Sequence, residues 1–122
     1  MSDGPLLRSR RAWWIVNDFV HDMSTGVWAA SLLVIWVLAR RAATASPEVA
    51  VGLQAAEQAV FWLLVASLAG LAATGAIRLF YWRRSTPPEA LAEKRALLAA
   101  KHVAFFVVYG LGSVWAYWMA WR

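Results

Sequence analysis

Three apolar runs, each long enough to cross a bilayer and each ending on arginine, dominate this chain of 122 residues. The first extends from about 12 to 38 and stops at Arg40-Arg41. The second covers about 60 to 82 and stops at Arg83-Arg84, and the third covers about 97 to 121 and stops at Arg122. A hydrocarbon core ~30 Å thick is crossed by about 20 helical residues, and every run exceeds that. A hydrophobic share of 61%, with only 16% charged residues, stands well above the ~45–50% of soluble domains. The chain therefore reads as one all-α domain over 1–122, an integral membrane three-helix bundle that runs up, down and up.

Basic residues at Arg8, Arg10 and Arg11 precede the first run, and Ala43-Thr44-Ala45 follows it, as in a cleaved leader. The run is nevertheless longer than a leader's ~7–15-residue apolar region and holds Asp18, His21 and Asp22, so it is expected to stay as a span. Both connections carry helix-start signals. Ser46-Pro47-Glu48 offers a capping serine with proline at the first helical position. Thr86-Pro87-Pro88-Glu89 has the spacing of a capping box, so the third helix is expected to start near Pro87, with an interfacial extension over about 87–96.

The charges set an expected orientation. Arg8, Arg10, Arg11, Arg78, Arg83, Arg84, Lys94, Arg95 and Lys101 lie toward the N-terminal side, against Arg40, Arg41 and Arg122 on the other. By the positive-inside rule the N-terminus and the second connection face the cytoplasm, and the C-terminus faces the periplasm or exterior of an inner membrane. The net charge of +5 thus reflects orientation in lipid, and a nucleic-acid partner is not expected. With no cysteine, disulfides, thiolate-held clusters, thioether-linked haem and cysteine catalysis are excluded for this chain.

The chain holds two histidines, His21 and His102, and both fall inside apolar runs. In an up-down-up bundle the first and third helices run parallel, so depths along them compare directly. His21 lies 19 residues before Arg40 and His102 lies 20 before Arg122. At ~1.5 Å per residue these offsets are ~28 and ~30 Å, which puts both imidazoles at one depth in the cytoplasmic half. Iron in a b-type haem takes two axial imidazoles from facing helices, and an ionisable side chain within a span is a functional candidate by default. The plain alternative is two unrelated histidines, each bonded locally. We expect His21 and His102 to be axial ligands of a haem b.

The second run carries Ala66, Gly70, Thr74 and Arg78 at intervals of four, on one helix face. Thr74 and Gly75, close to the depth of the histidines and with Gly70 a turn away, would let a flat macrocycle approach the backbone, and Arg78 would pair with a propionate. Ordinary small-residue packing and a snorkelling arginine read the same pattern without a cofactor. Asp18, three residues before His21, is positioned to accept its Nδ1–H and fix the tautomer. Alternatively, Asp18, Asp22 and Lys101 form a charged group that serves a quinone, or are simply solvated at the headgroups beside Trp13 and Trp14. Of the nine tryptophans, Trp28, Trp36, Trp62 and Trp115 lie deep enough to line a cofactor or meet a partner. In the third helix His102, Phe106, Tyr109 and Ser113 form a stripe, with Gly110 and Gly112 allowing close approach. His21, Thr25 and Trp28 form the matching stripe in the first.

These residues resemble those of small haem-b membrane subunits of the cytochrome b anchor type. More loosely, His21, the pair Thr74-Gly75 and Lys101 are similar to the copper resistance protein D-like membrane domain. The stretch HDMSTG is also similar in part to the H-R-x-[ST]-G pattern of the three-helix anchors of succinate dehydrogenase, with Asp22 where the arginine would stand. The resemblance implies haem b and a place among other subunits of a membrane redox complex. The leading expectation is electron relay between a quinone pool and a partner redox protein, without catalysis by this chain alone. Alternatives are a cofactor-free structural or assembly subunit, a bacteriochlorophyll-binding subunit in which each histidine holds one chlorin, and, last, a copper or small-ion transporter.

Overall fold

A computed structural model describes residues 4–85 and 91–122, and the side chains of these except 7, 81–85 and 91–94. The chain forms three helices in an up-down-up arrangement: α1 over Pro5–Thr44, α2 over Pro47–Ser85 and α3 over Leu91–Ala120. All three are long and apolar enough to span a membrane. At ~1.5 Å per residue the 40 residues of α1 and 39 of α2 extend ~60 Å, well past the hydrocarbon on at least one side. Pro5 stands at the start of α1, where its missing N–H costs nothing. The second helix begins at Pro47 after a connection of two residues, Ala45 and Ser46, and the Ala50 N–H closes its first turn on the Ser46 carbonyl at 2.8 Å. The expected capping box at Thr86–Glu89, and the helix start at Pro87, lie outside the described residues; of the interfacial extension, 91–96 belong to α3.

The two long helices pack along most of their length, and α3 is held less extensively. The α1 seam is Asn17, His21, Ser24, Trp28, Ser31 and Ile35, and the α2 seam includes Glu57, Leu64, Ser67, Leu71, Thr74 and Arg78. Alternating steps of three and four keep one face turned to the partner, as in a coiled coil. Because lipid is as apolar as leucine, burial alone gives helices in a bilayer little reason to associate. Close approach of small residues and interhelical hydrogen bonds do the holding instead. The seam reflects this: Ile35 and Leu64 are its fully buried aliphatic residues, but Asn17, Ser31, Ser67 and Thr74 are buried beside them. At Gly70 a Cβ would stand 2.6 Å from Ser24 Oγ, so the missing side chain is what lets the two backbones meet there.

The third helix is docked by its C-terminal half. Trp28 Nε1 donates to Ser113 Oγ at 3.2 Å, and its ring meets Tyr109 edge-on with centroids 4.5 Å apart. A Cβ at Gly112 would stand 2.7 Å from the Trp28 ring, so the indole lies directly on the α3 backbone. Further along, Gln58 Nε2 donates to the Ala120 carbonyl at 3.1 Å, and Gln54 Nε2 to the Ala120 and Arg122 carbonyls at 3.3 and 3.2 Å. Those amides satisfy acceptors that a helix C-terminus leaves open. Phe61, Tyr117 and Trp121 complete this end as an aromatic cluster. Within 95–108, by contrast, every residue except Leu98 is exposed. The N-terminal half of α3 thus stands off from α2, and a cleft opens between them.

Candidate functional site

The cleft has a volume of about 850 Å³, toward the upper end of the ~300–1,000 Å³ typical of small-molecule sites. Its walls come from α2 (Leu68, Leu71, Ala72, Gly75, Ala76, Leu79) and α3 (Leu98, Phe105, Phe106, Tyr109, Gly110, Ser113). His21 is the contribution of α1, and His102 belongs to the α3 wall. Arg78 and Lys101 supply the charged groups of an otherwise apolar lining. The α3 stripe of His102, Phe106, Tyr109 and Ser113 faces this space in full. The topology therefore brings the two histidines, 81 positions apart in sequence, to one cavity.

Each imidazole has its Nδ1 engaged. His102 Nδ1 lies 2.7 Å from the Leu98 carbonyl one turn back. A carbonyl oxygen only accepts, so Nδ1 carries the proton and Nε2 keeps its lone pair. His21 Nδ1 lies 2.8 Å from Thr74 Oγ1, across the α1–α2 seam. Thr25, in the next turn of α1, donates its hydroxyl to the His21 carbonyl at 3.0 Å. A histidine that ligates a metal through one nitrogen characteristically donates the other N–H to an oxygen, which orients the ring.

Asp18 takes a different place from the one its spacing suggests. Thr74, not Asp18, meets His21 Nδ1, while Asp18 Oδ1 accepts from Arg78 Nη2 at 2.6 Å. Arg78 keeps Nε buried with no hydrogen-bond partner, on a side chain that lines the cleft. A guanidinium beside an apolar cavity is suited to pair with a ligand carboxylate. Asp18, Asp22, Arg78 and Lys101 each act electrostatically on the His21 ring.

The small residues of α2 divide by role. Gly70 meets Ser24 at the helix–helix contact, Thr74 bonds His21, and Gly75 borders the cleft. Among the deep tryptophans, Trp28 is buried against α3, while Trp36, Trp62 and Trp115 are exposed on the outer faces. Gly110 lies open on the cleft wall, and Gly112 is the residue that permits the Trp28 contact.

Among the described residues, no three or more of His, Cys, Asp and Glu come together to hold a metal. A porphyrin supplies four equatorial nitrogens itself and asks the protein for axial ligands alone. Around the cleft stand two imidazoles, a mostly apolar lining and the cationic side chains of Arg78 and Lys101. Compared with family models, curated proteins and solved structures, the chain finds no match.

Proposed function

We propose that this chain is a b-type cytochrome subunit of a membrane redox complex, holding haem b between His21 and His102. The observation that carries the reading is the convergence of the two histidines on one apolar cleft, each with its Nδ1 already hydrogen-bonded. When bound, the haem supplies reversible one-electron chemistry at iron. The protein's own part is to present two neutral imidazoles, exclude water and neutralise carboxylates. Leu68, Leu71, Phe105 and Phe106 form the water-excluding wall. Arg78, whose side chain lines the cleft, receives the propionates, with Asp18 holding the guanidinium in place. Asp22 and Lys101, the remaining charged groups near His21, are the residues we assign to a quinone head group. In this role the subunit relays electrons between a quinone pool and a partner redox protein, with the cleft toward the cytoplasmic side.

The optical spectrum of protein purified in detergent tests the proposal. A sharp Soret band, with a resolved α band on reduction, is expected, and His21→Ala and His102→Ala should each abolish the six-coordinate low-spin form. A protein without tetrapyrrole would point to the structural-subunit reading, and far-red absorption to a chlorin. Spectra unchanged in both variants would remove these histidines as ligands.

A further inference from the structure

We infer that Thr74 is the positioning residue for His21, acting by fixing which imidazole nitrogen carries the proton; this rests on the haem-ligand reading above. The Thr74 hydroxyl stands in a small network of defined direction. Its Oγ1 is 2.8 Å from the Gly70 carbonyl and 3.2 Å from the Leu71 carbonyl. Both oxygens accept only, so the single hydroxyl proton is directed to the α2 backbone. What Oγ1 offers across the seam, 2.8 Å from His21 Nδ1, is a lone pair. The imidazole must therefore donate there, which makes it the Nδ1–H tautomer and leaves the Nε2 lone pair free for the cleft. If the ring instead kept its proton on Nε2, Nδ1 and Oγ1 would face each other as two acceptors. Thr74 is buried, so no bulk water is at hand to relieve that conflict.

The surrounding helix contact supports the same role. One turn along the seam, Gly70 meets Ser24 at a distance that a methyl group would violate. The backbone whose carbonyl takes the Thr74 proton is thus the one pressed against α1, and the spacing that lets His21 reach Oγ1 is set there. The opposing ligand is arranged differently: His102 donates within its own helix, to Leu98, and needs no second helix to settle its tautomer. The two imidazoles are therefore inequivalent, His21 being registered between helices and His102 within one.

The test uses the full chain labelled with ¹⁵N-histidine in detergent, without haem and near neutral pH, so that its outcome does not depend on the haem reading. With two histidines in the chain, His21→Gln assigns the signals. Wild type is expected to show His21 with a protonated Nδ1 and an unprotonated Nε2. Thr74→Val should move His21 toward a tautomer mixture without changing His102, and Thr74→Ser should restore the wild-type pattern. In the haem-loaded protein, Thr74→Val should shift the reduction potential and the low-spin EPR signal, again with recovery in Thr74→Ser. A wild-type His21 protonated on Nε2 overturns the inference whether or not the variants fold, as does a Thr74→Val spectrum identical to wild type. Loss of the haem reading alone would leave the tautomer result standing and show itself as a wild-type protein without a Soret band.

Discussion

At the scale of residues, two close approaches fix how the helices meet. Gly70 makes room for Ser24, and Gly112 makes room for Trp28. A serine hydroxyl can turn away from a new methyl group. Trp28 cannot, because it is buried and pinned by Ser113 and Tyr109. Gly112→Ala should therefore cost about 1–3 kcal/mol through overpacking and Gly70→Ala less, with Ser24→Ala recovering much of the Gly70→Ala loss. Thermal unfolding in detergent, followed by circular dichroism, checks that order; equal losses would contradict it. If haem b is the proposed ligand, Arg78→Ala should weaken its retention, since it removes the guanidinium that lines the cleft. A haem titration reads this as a fall in affinity, with Asp18→Asn giving a smaller fall. The histidines are legible at this scale because they are the two imidazoles of the chain and both fall inside apolar runs. The partner of His21 was not, because Thr74 reads as a small packing residue and Asp18, three positions away, offers a nearer oxygen. The short Ala45-Ser46 connection held the missing clue. It folds α2 straight back on α1, and residues equally far from it face each other, which reaches to about one turn of Thr74 from His21.

At the scale of elements, α1 and α2 form a packed pair, and α3 is fastened to them at one end. Gln54 and Gln58 bond the last carbonyls of α3, and the ring of Trp28 holds its middle. The half that carries His102 stands free of α2. Replacing both glutamines by alanine should speed amide exchange in the last two turns of α3 while leaving the His21–Thr74 contact intact; unchanged exchange there would contradict the fastening. The same asymmetry predicts unequal ligand variants. His21 sits in the packed seam, so His102→Ala should retain five-coordinate haem, and His21→Ala should retain less. Haem-to-protein ratios after purification measure the difference. This splaying was not legible in the sequence. In lipid both halves of α3 are free to be apolar on every face, so hydropathy does not mark which half is packed.

At the scale of the whole molecule, three long helices followed from three long apolar runs, because a span's length is set by the thickness of the bilayer. The cleft required two things the runs do not encode: the register of α1 against α2, and the divergence of α3. The distribution of Lys and Arg predicts that the N-terminus lies in the cytoplasm and the C-terminus outside. Alkaline phosphatase fused after Arg122 should accordingly be active and a fusion before Pro5 inactive; the reverse would place the cleft at the other face. In the proposed site, one haem iron would be held by imidazoles from two different helices. Low-temperature EPR of the oxidised, purified protein tests it most directly. We predict a low-spin signal of the bis-imidazole type, lost in His21→Ala and in His102→Ala alike. A wild-type signal from high-spin iron, or a low-spin signal that survives either substitution, would contradict it.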